Sequence, residues 1–195
     1  MYINKANKII IKIGSSILID KKGNIRKKWL NEFSKDISQL IKDKKKIILV
    51  SSGAIALGCK KLKIKKNRLK IEQSQAIAAI GQIELMNIYK NTFNLHKIKI
   101  SQILLTLDDT EQRRRSINAK RTLDNLLTMG IIPIVNENDT TATSEIKYGD
   151  NDRLAARVTQ IIGADCLILL SDVDGLYTKN PKLNKGSSLI KSVKI

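Results

Sequence analysis

The 195-residue sequence is poor in the residue types on which many enzymes depend. It has one histidine, His96, and two cysteines, Cys59 and Cys166, which show no metal-ligand spacing. A single histidine leaves no Ser–His–Asp or Cys–His nucleophile arrangement to assemble, and His96 is expected to be structural or exposed. Both cysteines are predicted to be buried thiols of a protein in a reducing compartment.

Aromatic residues and long apolar runs are also scarce. No stretch approaches the roughly 18 consecutive apolar residues of a membrane helix, so a soluble, cytoplasmic protein without membrane contact is expected. Aromatic residues make up only 4% of the chain, within a hydrophobic content of 42%. Ile, Leu, Val and Ala must therefore fill the core. No Pro/Gly-rich linker or internal repeat interrupts the chain, which favours one domain.

Acidic residues are few in the first part of the chain. The formal net charge is +18, and residues 1–70 carry 20 Lys/Arg against 4 Asp/Glu. Such asymmetry can indicate a nucleic-acid surface. The basic clusters at 42–46 and 60–70 contain no aromatic side chain for base stacking. We therefore favour a solvated lysine surface, keep an anion-attracting face as the alternative, and do not expect a nucleic-acid partner.

What the sequence does contain is a regular alternation of apolar runs and amphipathic stretches. Strands are predicted at 8–13, 46–50, 99–105, 131–135 and 166–170, and helices at 26–43, 53–62, 72–93, 115–129 and 151–162. Residues 144–148 alternate and predict a small hairpin arm. Strands separated by helices of this length form βαβ units. The predicted fold is α/β, a three-layer α/β/α sandwich with a mainly parallel sheet.

In open α/β sheets, ligands bind beyond the carboxyl ends of the strands. Gly14, Ser52, Asn136 and Ser171 are therefore predicted to lie together at one edge. The first of these strands, "KIIIKI", carries Lys12 inside an apolar run. Burying an unpaired ammonium is costly. Lys12 therefore either extends its head to solvent at the strand end or meets an anion there. The turn that follows lacks the spacing of a Walker loop.

The second strand is followed by a Ser-Ser-Gly turn that opens directly into a helix. Backbone amides at such a helix start can bind an anion, assisted by the helix dipole. An ordinary N-cap serine is the alternative interpretation.

The stretch after the fourth strand is the richest in polar groups. Residues 136–139 read Asn-Glu-Asn-Asp, and residues 150–152 at the next helix start read Asp-Asn-Asp. Helix capping explains one such cluster, and two suggest an ammonium-bearing ligand, a metal ion or the positioning of active-site lysines. The segment after the fifth strand, "SDVDGLYTKNP", fits a nucleotide-edge loop or a plain surface loop. Lysines, carboxylates and backbone amides together suit phosphoryl transfer.

Read together, these motifs resemble the amino acid kinase family. The matching stretches are "IKIGSSIL", "ILVSSGAIALG", "AAIGQIELM", "QILLT", "IIPIVNENDT", "EIKYGDNDRLAA" and "LLSDVDGLYTKNP", which span residues 8 to about 182 in the family's order. The Asn-Glu-Asn-Asp and Gly-Asp-Asn-Asp segments resemble the branch that phosphorylates the γ-carboxylate of L-glutamate with ATP and Mg²⁺, the first step of proline biosynthesis. An aspartokinase-like or uridylate kinase-like activity is the alternative.

The resemblance implies a role for individual residues. Lys12 and Asp152 would be catalytic, with Lys12 on the transferring phosphoryl group and Asp152 organising lysines. Substrate binding falls to Ser52, Gly53, Asp139 and Asn151, ATP binding to Lys12, Gly14, Ser15, Ser171 and Asp172, and a supporting role to Asn136 and Asp150. No protein metal ligand is implied. Expected partners are L-glutamate, further copies of the chain as a homo-oligomer, and a functional link to glutamate-5-semialdehyde dehydrogenase.

The family pattern continues beyond residue 195 with a Gly-Thr-Gly-Gly-Met-x-Thr-Lys segment, and many members add a small PUA domain. Neither occurs here. Residues 1–195 are thus expected to be the N-terminal and central part of the kinase domain, without its C-terminal part. A truncated, non-catalytic member of the same fold is the alternative.

Overall fold

A computed structural model describes residues 2–20, 22–64, 69–142 and 150–193, without the side chains of Tyr2 and Asp150. In chain order, its elements are α1 (Tyr2–Lys5), β1 (Lys8–Ile13), α2 (Ser15–Leu18), α3 (Lys27–Lys42), β2 (Lys46–Ser51), α4 (Ala54–Leu62), α5 (Ile71–Asn94), β3 (Ile100–Leu105), α6 (Leu107–Glu111), α7 (Arg113–Thr128), β4 (Ile132–Glu137), α8 (Asp150–Ile162), β5 (Cys166–Leu170), β6 (Leu176–Tyr177) and β7 (Leu189–Ile190).

The main sheet confirms the predicted fold class. Its five strands pair in the order β3-β4-β2-β1-β5, and every pair is parallel. The short strands β6 and β7 form a separate antiparallel pair. The five predicted strands and five predicted helices all occur, with bounds that differ by at most two residues. Helices α1, α2 and α6 were not predicted, because four or five residues are too few to show a helical period. The predicted arm at 144–148 lies outside the described residues.

Strand alternation divides the apolar residues between two cores. Ile9, Ile11 and Ile13 of β1 belong to a core that includes side chains of α3, α4 and α5. Ile10 belongs to the core on the opposite face, with side chains of α7 and α8. Successive side chains of a strand point to opposite faces, so Lys12 shares the face of Ile10. The β1 lysine is thereby directed toward α8.

Two glycines bring α4 and α5 into backbone contact. A Cβ added to Gly81 of α5 would lie 1.7 Å from the carbonyl oxygen of Ala54, and one added to Gly58 of α4 would lie 2.1 Å from that of Ile77. Only residues without a side chain fit at such distances. The crossing holds the middle of α5 against the first residue of α4, close to the end of β2.

The histidine and cysteines occupy structural positions. His96 Nε2 lies 3.1 Å from Oγ of Ser34, which joins the end of α5 to α3. The expectation of a structural histidine agrees with this contact. Cys59 is buried, but Cys166 is only half-buried, because it begins the edge strand β5. The prediction of two buried thiols is wrong for Cys166.

The basic side chains of the first part of the chain lie mostly at the surface. Lys42, Lys44 and Lys46 are exposed, as are Lys60 and Lys61. This exposure agrees with a solvated lysine surface and is equally compatible with the alternative of an anion-attracting face. Among the described residues, no helix has both the length and the apolar character needed to cross a membrane.

Candidate active site

The carboxyl ends of four neighbouring strands gather the predicted site residues at one edge of the sheet. Gly14 follows β1, Ser52 follows β2 and Ser171 follows β5. Asn136 is the penultimate residue of β4, which continues two residues beyond its predicted end because its pairing with β3 extends to Glu137. The edge therefore brings together chain segments that are far apart in sequence.

Lys12 meets a carboxylate at this edge. Its Nζ lies 2.6 Å from Oδ1 of Asp152, near the start of α8. The lysine is only 9% exposed, so the carboxylate compensates a charge that would otherwise be buried alone. Asp152 itself remains about half exposed. The side chain of Lys12 thus neither extends freely to solvent nor lacks a partner, and its ammonium is fixed at the strand end.

Gly14 provides space beside that ammonium. A Cβ added to Gly14 would lie 3.7 Å from Nζ of Lys12 and 3.2 Å from the carbonyl oxygen of Leu170. Its φ of −67° is available to any residue. The glycine is therefore explained by the room it leaves between β1 and β5 and not by an unusual turn conformation.

The two serines at the end of β2 face different helices. Ser51 Oγ lies 2.9 Å from the hydroxyl of Tyr89 in α5, where burial raises the pKa of the tyrosine well above its usual range. Ser52 Oγ instead accepts a hydrogen bond of 2.8 Å from Nδ2 of Asn151 in α8. Within the part of the chain that the structure describes, the side-chain oxygen Oδ1 of Asn151 is buried and has no hydrogen-bond partner. Helix α8 is therefore attached to β1 through Asp152 and to the end of β2 through Asn151.

Gly53, rather than a serine, forms the N-cap of α4. Its φ is +118°, and as a glycine it has no side chain that could cap the helix. A Cβ on Gly53 would lie 2.9 Å from Cδ1 of Ile19. The interpretation of Ser52 as an N-cap is therefore wrong: the left-handed conformation of Gly53 turns the chain into α4 and leaves Ser52 available to α8.

Asn136 is held by Gln82, a residue that was not predicted from the sequence to belong to the site. Its Nδ2 donates a 2.7 Å hydrogen bond to Oε1 of Gln82 in α5, and both side chains are buried. Asn136 Oδ1 accepts from the backbone N–H of Glu137. A second glutamine of α5, Gln75, donates to the carbonyl oxygen of Ala142 at 3.1 Å. The "AAIGQIELM" stretch could have indicated this role of Gln82, because the residue directly follows Gly81, the glycine in close contact with α4.

Asp139 follows β4 within a tight turn, in which the N–H groups of Thr141 and Ala142 both donate to the carbonyl oxygen of Asn138. The carboxyl group of Asp139 is half-buried, and burial raises its pKa to about 6. A carboxylate that is poorly solvated in this way favours a cationic partner. No contact joins Asp139 directly to Asn151, its predicted partner in substrate binding, among the interactions of the described residues.

The segment after β5 is more open. Ser171 and Asp172 are both exposed, and Asp172 forms an ion pair with Lys182. The hydrogen bond from the lysine ammonium holds the pKa of Asp172 below its usual range. Ser15 begins α2 and is exposed at the same edge. The side chain of Asp150 lies outside the described residues.

Comparison with known proteins decides the family. The model of the amino acid kinase family matches residues 7–195. The chain belongs to the amino acid kinase family. This confirms the resemblance seen in the motifs, and the family model extends over nearly the whole sequence.

Curated family members show high sequence identity to the chain. It is 69% identical to a protein of Pelagibacter ubique named glutamate 5-kinase, an alignment that covers 100% of this chain and 53% of the relative. A glutamate 5-kinase of Bartonella henselae is 56% identical over 89% of the chain and 46% of its own length. The chain thus spans about half the length of the curated relatives it matches.

Two solved structures share the fold of this chain at low sequence identity. An isopentenyl phosphate kinase from T. acidophilum superimposes with a TM-score of 0.65 and 17% identity, covering 95% of this chain and 79% of that one. A UMP kinase from Bacillus anthracis gives a TM-score of 0.59 and 16% identity, with coverage of 94% and 72%. These neighbours support the α/β assignment and no particular substrate.

Proposed function

We propose that this protein transfers the γ-phosphoryl group of ATP to the γ-carboxylate of L-glutamate, the first step of proline biosynthesis. The observation that carries the proposal is the buried Lys12 ammonium, fixed by Asp152 at an edge where the Ser52–Asn151 pair and Asp139 also lie. The identity of up to 69% with proteins named glutamate 5-kinase supports this substrate over aspartate or a nucleotide.

The acceptor needs little chemical activation in this reaction. The side chain of glutamate has a pKa near 4.3 and is already an anionic nucleophile at neutral pH. The barrier lies in bringing two anions together and in stabilising the charge on the transferring oxygens. Lys12 supplies a fixed positive charge for those oxygens. Asp152 keeps the ammonium in place, so no reorganisation is required during the reaction.

The glutamate subsite is assigned to the acidic side of the edge. Asp139 pairs with the α-ammonium group, which provides a positive counter-charge for its half-buried carboxylate. Ser52 and Asn151 form a hydroxyl–amide pair that can contact a substrate carboxylate, beside the N-terminal amides of α4 that follow Gly53. Asn136 supports this side of the site from β4.

The nucleotide subsite is assigned to the ends of β1 and β5. Gly14 and Ser15 lie beside Lys12, and Ser171 and Asp172 follow the neighbouring strand. The described residues contain no group of three His, Cys, Asp or Glu that could hold a metal ion. Mg²⁺ therefore fits as an ion carried by the ATP phosphates, where it would neutralise part of their charge.

The partners follow from the same assignment. Ile80 and Ile83 of α5 are 37% and 65% exposed, one turn apart on the helix, and this apolar surface supports a homo-oligomer.

An acyl phosphate product hydrolyses readily. We therefore propose that glutamate-5-semialdehyde dehydrogenase rapidly consumes the glutamyl phosphate that this protein forms. We assign residues 1–195 to the kinase domain and the reaction to the cytoplasm, where thiols stay reduced.

The test is acceptor-dependent ADP formation by the complete protein with ATP and Mg²⁺. We expect turnover with L-glutamate, trapped as the hydroxamate of glutamyl phosphate, and none with L-aspartate or UMP. Turnover with either of these acceptors in place of L-glutamate would favour the aspartokinase-like or uridylate kinase-like alternative.

A further inference from the structure

Two glutamines on one face of α5 contact the two ends of the segment 136–142, which carries Asp139. Gln82 accepts the hydrogen bond of Asn136 at the start of the segment, and Gln75 donates to the carbonyl oxygen of Ala142 at its end. Residues seven apart lie on the same face of a helix and about 10 Å apart along it. The segment is thus attached to one rigid element at both ends.

The position of α5 relative to the sheet is fixed here by a second contact, which does not involve the segment 136–142. Gly81, next to Gln82, is in backbone contact with Ala54, the first residue of α4, immediately after the end of β2. Any residue with a side chain at position 81 would move the helix outward. The contact therefore sets how far Gln82 reaches toward β4.

Gln82 is also poorly explained as a packing residue. It is 8% exposed, and its Nε2 is buried without a hydrogen-bond partner among the described residues. Leaving a buried amide donor unpaired is destabilising, and an apolar side chain of similar size would avoid this cost. The use of a glutamine here points to its other atom, Oε1, which holds Asn136.

We propose that Gln75 and Gln82 are positioning residues that hold the segment 136–142 against α5 and thereby place Asp139 for the α-ammonium group of the substrate. This inference rests on the proposed function. The glutamines do not touch the substrate, and they act on its recognition through Asp139. Selectivity for an amino acid over the corresponding dicarboxylate is then determined partly by α5.

The experiment compares two ligands that differ only in the ammonium group. Dissociation constants of L-glutamate and glutarate are measured by calorimetry for the wild-type full chain and the variants Gln82→Met and Gln75→Met. We expect each variant to weaken L-glutamate binding about tenfold, the scale of one hydrogen bond, with glutarate binding unchanged within twofold. Gln160→Met, an exposed glutamine near the other end of α8, is the matched control and should alter neither constant.

The other possible results distinguish a failure of the positioning role from a failure of the assignment of Asp139. Equal weakening of both ligands, or no change in either, overturns the positioning role and leaves the proposed function standing. A wild-type chain that binds neither ligand, or that binds both equally, overturns the proposed assignment of Asp139 and this inference with it. Gln75 is only half-buried, so Gln75→Met keeps the test available if Gln82→Met does not fold, as judged by circular dichroism.

Discussion

At the scale of single residues, two charged groups are held in environments that oppose their charge. Lys12 is buried and depends on Asp152 for compensation. Asp139 is half-buried, and its pKa is raised to about 6 by desolvation. Neither arrangement is the most stable one available to the fold, because an apolar residue would avoid both costs. Replacing Lys12 or Asp139 is therefore expected to impair function without a corresponding loss of stability.

Replacing Lys12 by Met should lower kcat by at least about 10²–10³-fold, because a fixed charge on the transferring oxygens acts mainly in the transition state. The KM for L-glutamate should change much less. Lys8→Met is the matched control: Lys8 lies in the same strand at the opposite edge, paired with Asp124. It should reduce stability at most and leave kcat unchanged. Near-normal turnover of Lys12→Met would mean that the lysine is only structural.

Asp139→Asn should stabilise the fold above pH 6 and weaken L-glutamate binding. The folded-state pKa of about 6 lies above the unfolded value of 3.8, so the folded state binds the extra proton between these pH values. Wild-type stability should therefore fall as the pH rises from about 4 to 6 and then level off, whereas the variant lacks this loss. Thermal unfolding from pH 4 to 8 measures the difference. Parallel stability curves for the two proteins would contradict the raised pKa.

At the scale of elements, the site is assembled by two helices that reach the carboxyl edge of the sheet from its opposite faces. Helix α8 contacts β1 through Asp152 and β2 through Asn151. Helix α5 contacts β4 through Gln82 on the other face. The strands supply a common edge, but the polar pairs form only because both helices are docked at a fixed depth. For α5, backbone contact with α4 sets that depth.

Gly81→Ala should lower the free energy of unfolding by at least about 1–3 kcal/mol, the usual cost of overpacking, because its Cβ would lie inside the Ala54 carbonyl. Urea denaturation measures the loss. Gly186→Ala is the control, since a Cβ there meets no atom of the described residues within 4 Å. The variant at position 81 should also weaken L-glutamate binding, because Gln82 moves with the helix. A neutral effect at both positions would rule out the close crossing.

At the scale of the whole molecule, apolar surface remains on the last strand of the sheet. Leu169 of the edge strand β5 is 51% exposed, and Leu183 in the segment before β7 is 80% exposed. The curated relatives are about twice as long as this chain. Exposed apolar side chains on a sheet edge favour association or coverage by further polypeptide.

We expect residues 1–195 on their own to show weak or no glutamate-dependent turnover and to associate, despite the net charge of +18. Adding the downstream half of a relative should raise turnover and reduce association, because it would supply further cations to the nucleotide side and cover β5. Hydroxamate formation and light scattering compare the two chains. Full activity of the short chain would indicate that a lysine already present, such as Lys179, Lys182 or Lys185, completes the nucleotide site.

The long strands and helices, and the edge on which the site lies, follow from local patterns in the amino-acid sequence. Apolar runs and helical periods predicted every long strand and helix, because burial patterns are local in sequence. The rule that parallel strands share a carboxyl edge then placed Gly14, Ser52, Asn136 and Ser171 together. Motif resemblance gave the family, which the family model confirmed.

Which side chains contact one another depends on how the elements pack and could not be predicted from local patterns. The pairing of Ser52 with Asn151 and of Gln82 with Asn136 joins residues far apart in the chain, and it depends on the depth at which α8 and α5 dock. The raised pKa of Asp139 depends on burial by surrounding segments. These quantities arise from packing between elements, and packing leaves no periodic signal along the sequence.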